Sequence, residues 1–292
     1  MRTTTRKMLW IGLLCLITIT LAVGFPPRGL ADSYDWTIID VPGASESLAF
    51  SINSHCEIVG TYFTDTYHAY LLDSRGFTTL DIPDSLEDYA VDINDAGEIV
   101  GMYLDNDWIY HGYLWQKGVV TTIDPPDGAV FTEVTGINAR GELVGRYMTD
   151  GLTYHGFYFY KGVFQTIDFP GKTNTAFTQI NPSGEMVGYY TVEDVDHGFL
   201  LSKGALTPVD FPSASSTWAL GNNASGEIVG MYVDENVITH GFLLSKGTFT
   251  NIDPPDSTFT WAVQVNSAGK MVGFFYDSEG EGHGFLLDVK KH

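Results

Sequence analysis

The sequence predicts an all-β protein: a six-bladed β-propeller of four-stranded antiparallel blades, closed by an N-terminal strand that completes the last blade. Three observations predict it. A unit near 43 residues recurs six times, each unit reads as four short strands, and the chain opens with a spare strand that its last unit lacks.

The repeat rests on three markers. Ile-Asn-x-x-Gly-Glu stands at Ile93–Glu98, Ile137–Glu142 and Ile180–Glu185, and in diverged form at Asn53, Asn223 and Asn266. The glycine that follows falls at Gly60, Gly101, Gly145, Gly188, Gly230 and Gly273, at spacings of 41, 44, 43, 42 and 43. His followed by a small residue and an aromatic recurs at His68, His111, His155, His197, His240 and His283, and Asp-x-Pro at Asp40, Asp81, Asp124, Asp168, Asp210 and Asp253.

In the fifth unit the strands read Trp218–Asn222, Glu227–Val233, Thr239–Leu244 and Thr248–Asp253. Asn-x-x-Gly joins the first two and Lys246-Gly247 the last two, both turn chemistries that use a glycine's positive φ. The third strand is apolar on both faces, with Phe242 and Leu244 on one and Leu243 on the other. That pattern favours sheets packed between neighbours over an open sheet with one wet face. The last unit ends at Leu286-Leu287-Asp288 with no fourth strand after its histidine, whereas Trp36–Pro42 is a fourth strand without a unit. Pro208, inside the fourth strand of its unit, fits an outer edge.

Composition bounds the function. Of 292 residues 44 % are hydrophobic, enough for a core, and 15 Lys plus Arg against 36 Asp plus Glu give a net charge of −21. Such a surface repels phosphate backbones and anionic lipid, which argues against a nucleic-acid partner. Arg2, Arg6 and Lys7 precede the uncharged run Met8–Gly24, the pattern of a secretory signal peptide. Small residues at Gly29 and Ala31 place the cut before Asp32, with Ala22–Gly24 as a second position and an uncleaved anchor as the alternative. The expected organisation is a signal peptide over 1–31 and one domain over 32–292, exported to the periplasm, cell surface or medium and monomeric. Of the two cysteines only Cys56 survives cleavage, so no intrachain disulfide staples the mature chain.

The run His-Gly-Phe-Leu-Leu-Ser-Lys-Gly at His197–Gly204 and His240–Gly247, the Ile-Asp at Ile252-Asp253, and the Ile-Asn-x-x-Gly-Glu-x-Val-Gly hairpin resemble the probable extracellular HAF repeat. The resemblance covers all of the mature chain. Gly replaces the family's Ala in five copies, and His68-Ala69-Tyr70 keeps Ala but changes the aromatic, which makes this a diverged branch. It implies an exported repeat protein and transfers no catalytic residue.

Features present in every unit read as architecture. The six histidines sit on six different blades and cannot converge on one ion, and the repeated Asp and Asn side chains are expected to cap turns. Candidate sites lie where the repeat breaks its own symmetry. Four residues before the Ile of Ile-Asn, or its equivalent, the units place Leu48, Tyr89, Glu133, Ala176, Trp218 and Trp261, on the first strand and near one channel mouth. Tyr89, Glu133, Trp218 and Trp261 suit a sugar-stacking or aromatic-ligand pocket; the alternatives are that they plug the channel, and that Glu133 pairs with Arg146 across the hairpin. Loops on the same rim carry Asp105 and Asp107, Glu193, Asp194 and Asp196, Asp234 and Glu235, and Asp277, Glu279 and Glu281, either a solvated rim or a Ca²⁺ site. Trp108 and Tyr110 in one such loop and Tyr154 in the next are further candidates for partner contact, the alternative being that each folds back over its blade. No nucleophile elbow, zinc-protease helix, phosphate loop or dinucleotide fingerprint occurs. The expectation is a non-enzymatic exported module binding a glycan or a protein partner, without an obligate cofactor. The alternatives are a hydrolase or lyase using axial carboxylates, with Ca²⁺ as its possible ion, and a purely structural surface protein.

Overall fold

A computed structural model describes residues 34–80 and 82–289. The signal segment 1–31, Cys15 and Asp81 lie outside the described residues. Those described form 24 β-strands and no α-helix.

β1 (Trp36–Ile39) precedes a series of antiparallel meanders. The first is β2 (Glu46–Ile52), β3 (Ile58–Phe63), β4 (Tyr67–Asp73) and β5 (Gly76–Thr79). The second is β6 (Glu87–Ile93), β7 (Ile99–Leu104), β8 (Tyr110–Gln116) and β9 (Val119–Ile123). β10 (Phe131–Ile137), β11 (Leu143–Met148), β12 (His155–Tyr160) and β13 (Val163–Ile167) follow, then β14 (Thr175–Ile180), β15 (Met186–Val192), β16 (Val195–Ser202) and β17 (Ala205–Pro208). The fifth is β18 (Ser216–Asn222), β19 (Ile228–Val233), β20 (Thr239–Ser245) and β21 (Thr248–Ile252). Finally β22 (Phe259–Val265), β23 (Lys270–Tyr276) and β24 (Gly282–Asp288) form a three-stranded meander whose outer edge is taken by β1, with Trp36 opposite Leu287 and Ile39 opposite Gly284.

The first hairpin of each meander is built by its asparagine. Asn94 Oδ1 accepts the backbone N–H of Ala96 and Glu98, fixing the turn, while its Nδ2 donates to the carbonyl of Asn138 in the next meander at 3.2 Å. Asn53, Asn138, Asn181 and Asn223 repeat the second contact with the following unit, and Asn266 makes it with Asn53 at 2.9 Å. The expected turn capping is present, and the amide end of each side chain adds a link between units.

Each inner strand carries a β-bulge, between Val134 and Gly136 in β10 for example, and the hairpin turn is correspondingly one residue wider than a tight Asn–Gly pairing. The two offsets cancel, which leaves Glu133 opposite Arg146. The glycine of the second strand serves close approach: a Cβ on Gly230 would lie 2.0 Å from the Trp218 carbonyl oxygen and 2.8 Å from the Phe242 ring.

Apolar clusters lie between successive sheets. Val59 and Ala69 of the first meander pack with Ala90, Ile93 and Ile99 of the second, and the third strand is buried on both faces, as Phe242 and Leu243 show. This is the packing expected of a strand apolar on both sides.

The repeated histidine and the repeated aspartate prove to be partners. His111 Nδ1 lies 2.6 Å from Asp124 Oδ2, and the same contact joins His155 to Asp168, His197 to Asp210 and His240 to Asp253, each 13 residues apart. In the last unit the aspartate is Asp40, after β1.

Candidate functional site

The strand starts β2, β6, β10, β14, β18 and β22 share one rim with the loops between second and third strands, because Glu46 pairs with Phe63, Glu87 with Leu104 and Phe259 with Tyr276 at the ends of those loops. The sequence-predicted residues reach this rim in different states. Trp218 and Trp261 are half-buried, with ring centroids 5.4 Å apart. Tyr89 is fully buried and donates its hydroxyl to Glu87 at 2.9 Å. Glu133, 5 % exposed, is held by Arg146 Nε at 2.7 Å, the cross-strand pair anticipated as the alternative. Trp108 stands on the β7–β8 loop, 59 % exposed, with a left-handed φ of 65°.

Neighbouring residues join three of these, Tyr89, Trp218 and Trp261, into an unbroken circuit. Tyr189 stacks on Trp218 at 4.2 Å and 6°, and Arg146 Nη1 donates to the Tyr189 hydroxyl at 2.5 Å while its guanidinium lies 4.7 Å from the Tyr154 ring. Tyr154 meets Phe131, and Phe131 meets Tyr110. Tyr110 and Tyr89 both donate to Glu87, and Tyr89 lies against Tyr67 at 5.3 Å. Tyr67 and Tyr276 both donate to Glu46; Tyr276 meets Phe259, and Phe259 stacks on Trp261, which returns to Trp218. The circuit draws on the first, second and third strands of successive meanders.

Its electrostatics follow from burial. Desolvation, followed by the Glu46 carboxylate, pushes Tyr67 and Tyr276 well above the usual phenol range, and desolvation with Glu87 does the same to Tyr110, so these hydroxyls remain donors. Burial works against the Arg146 charge, but Glu133 outweighs it and the guanidinium stays charged. Asp196 accepts the Trp218 indole N–H at 2.9 Å, whereas the Trp261 indole nitrogen is buried without a hydrogen-bond partner among the described residues.

Sequence reasoning placed Tyr110, Tyr154 and Asp196 on this rim and paired Arg146 with Glu133, but it missed Tyr67 and did not link any of them to the tryptophans. A signal was present: the residue before the repeated histidine is Tyr in three units and Asp196 in a fourth, a second break of the repeat.

The first acid of three rim loops is committed to its own loop. Asp105 Oδ1 accepts from Asp107 and Ile109, Asp234 Oδ1 from Asn236 and Ile238, and Asp277 Oδ1 from Glu279 and Glu281. The second oxygen faces the histidine, at 3.1 Å for Asp105 and His111. Asp277, Glu281 and His283 bring donor atoms within 4.8 Å of one another, and His283 also faces Asp40 through its Nδ1.

No family model matches the chain, and no curated protein is similar to it in sequence. Solved structures are. A putative TolB from Agrobacterium tumefaciens aligns at TM-score 0.58 and 10 % identity over 82 % of this chain and 90 % of its own. The β-propeller domain of the trilobed protease from Pyrococcus furiosus aligns at TM-score 0.55 and 9 % identity over 88 % and 85 %. An Aleuria aurantia lectin bound to α-methyl-L-fucoside aligns at TM-score 0.53 and 13 % identity over 84 % and 93 %. At these identities the likeness establishes one thing, that the all-β chain has a β-propeller fold.

Proposed function

We propose that the protein is an exported, non-enzymatic six-bladed β-propeller, closed by β1 and related to the extracellular HAF repeats, that binds a glycan at the aromatic mouth. The observation that carries the binding assignment is the circuit at this rim, in which half-buried Trp218 and Trp261 stand side by side and half-buried Tyr67, Tyr110 and Tyr276 gather round the Glu46 and Glu87 carboxylates. Aromatic faces at a channel mouth offer stacking area to the apolar faces of sugar rings, and carboxylates among them fix hydroxyl groups. The closure is supported by the β1–β24 pairing and by the Asn266-to-Asn53 contact. Export is supported by the charged and apolar N-terminal pattern and is compatible with the TolB likeness. Fold likeness to a fucose-binding lectin is consistent with a binding role and selects no sugar.

Titration of the protein with a panel of oligosaccharides, followed by tryptophan fluorescence, tests this. Binding is expected to quench emission and to be lost in Trp218→Ala and Trp261→Ala variants that keep their melting temperature. A ligand whose affinity is unchanged by both substitutions removes the site from the mouth; capture of a protein instead of any glycan reassigns the partner.

A further inference from the structure

The charges around the mouth are unequal, and they narrow the ligand. Four carboxylates belong to the circuit or touch it: Glu46, Glu87, Glu133 and Asp196. One cation stands among them, Arg146, and it is committed to Glu133, Tyr189 and the Tyr154 ring. Glu46 receives only tyrosine hydroxyls, Glu87 likewise, and the Asp196 carboxylate receives the Thr191 hydroxyl and the Trp218 indole. None of these three has a cationic partner among the described residues.

Each carboxylate has about four lone-pair positions, and two neutral donors leave room for further hydrogen bonds. The rings flanking these acids add negative π-faces, which attract a cation within about 6 Å of their centroids. A purely neutral sugar satisfies the stacking surface and leaves three carboxylates without counter-charge; a sugar bearing an ammonium group satisfies both. The surrounding rim, with Asp65, Asp84, Asp127, Asp150 and Asp256 added to the loop acids, draws a cation toward the mouth and repels an anionic glycan.

We infer that the mouth takes a glycan whose sugar rings carry free amino groups, held by stacking on Trp218 and Trp261 and by ammonium contacts to Glu46, Glu87 and Asp196. The inference rests on the glycan reading above and adds the charge of the ligand to it.

The test compares three probes of equal length on the wild-type protein by calorimetry: a glucosamine oligomer, its fully N-acetylated counterpart and a glucose oligomer. The glucosamine oligomer is expected to bind at least about tenfold more tightly than either neutral probe, the factor a single charge-assisted hydrogen bond supplies. That preference should shrink in roughly 1 M salt, where the Debye length is about 3 Å. Glu87→Gln, which keeps one oxygen to accept from both Tyr89 and Tyr110, is expected to weaken the glucosamine oligomer about tenfold and the acetylated one several-fold less. Equal binding of all three probes, abolished by Trp218→Ala, overturns the inference and leaves the glycan reading standing. Binding of none of them overturns both. A lysine oligomer of the same charge that binds as tightly as the glucosamine oligomer reduces the effect to bulk charge and also overturns it.

Discussion

His283 Nδ1 stands 3.0 Å from Asp40 Oδ1, joining residues 243 positions apart by the contact that His240 makes with Asp253 only 13 residues on. Beside it Trp36 meets Phe285 edge to face at 5.1 Å. The seam between the chain's two ends therefore combines a polar pair with an aromatic one.

The two halves of that seam should differ in strength. Asp40 is half exposed and its pair with His283 is open to solvent, so Asp40→Ala should cost at most about 1 kcal/mol. Trp36→Ala removes ring packing and should cost about 3 kcal/mol, near the low end for truncating a packed aromatic. Urea denaturation measures both; equal losses would mean that the polar contact carries more than solvent-exposed pairs do.

Stability should fall as pH rises through the histidine range. At His111, His240 and His283 burial opposes the charge, but the two flanking aspartates outweigh it and raise each pKa. A raised histidine pKa gives stability that is complete below the unfolded value of about 6.5 and is lost as pH rises through the folded value. For Asp105, Asp234 and Asp277, local hydrogen bonds outweigh desolvation and lower the pKa, so their contribution is complete above about pH 3.9 and is lost as pH falls through the folded value. The melting temperature should accordingly be higher near pH 5.5 than near pH 8, and His→Gln at the three positions should flatten that slope. An unaltered slope in the triple variant would assign the pH dependence to other groups.

Arg146 should be costly to remove alone and cheap to remove with its partner. Arg146→Ala leaves Glu133, 5 % exposed, without its counter-charge, and a loss of about 3–5 kcal/mol is expected. Arg146→Met combined with Glu133→Leu should recover most of it. A double variant no more stable than Arg146→Ala would place the cost in the lost Tyr189 and Tyr154 contacts instead.

Gly230→Ala should be among the more damaging single-methyl additions. Its Cβ would sit 2.0 Å from the Trp218 carbonyl oxygen, a backbone atom that cannot swing away. A loss of about 3 kcal/mol, the upper part of the overpacking range, together with a shifted tryptophan emission maximum is expected. Unchanged emission would mean that β19 moves and leaves Trp218 in place.

Strands and turns were legible because each is specified locally, by alternation and by residues such as Asn94 and Gly97 whose partners lie a few positions away. The spare strand at Trp36 was legible by counting. The cross-strand ion pair of Glu133 was legible because a hairpin fixes who stands opposite whom, although the wider turn and the bulge that compensate one another were not. What stayed hidden is lateral. Tyr154 meets Phe131, and Asp196 meets Trp218, because neighbouring sheets approach at the rim, a proximity that no single strand encodes. The His–Asp pairing was hidden for another reason: its separation of 13 residues was visible, but each residue alone already made sense as a turn or strand feature.

The asparagine contacts carry one more consequence. Asn266 donates to Asn53 just as Asn94 donates to Asn138, so this hydrogen-bonded series has neither a first nor a last member. A circularly permuted gene, with residues 34 and 289 joined by a linker and new ends opened at the Lys246-Gly247 turn, should yield the same fold with its seam moved to another sheet.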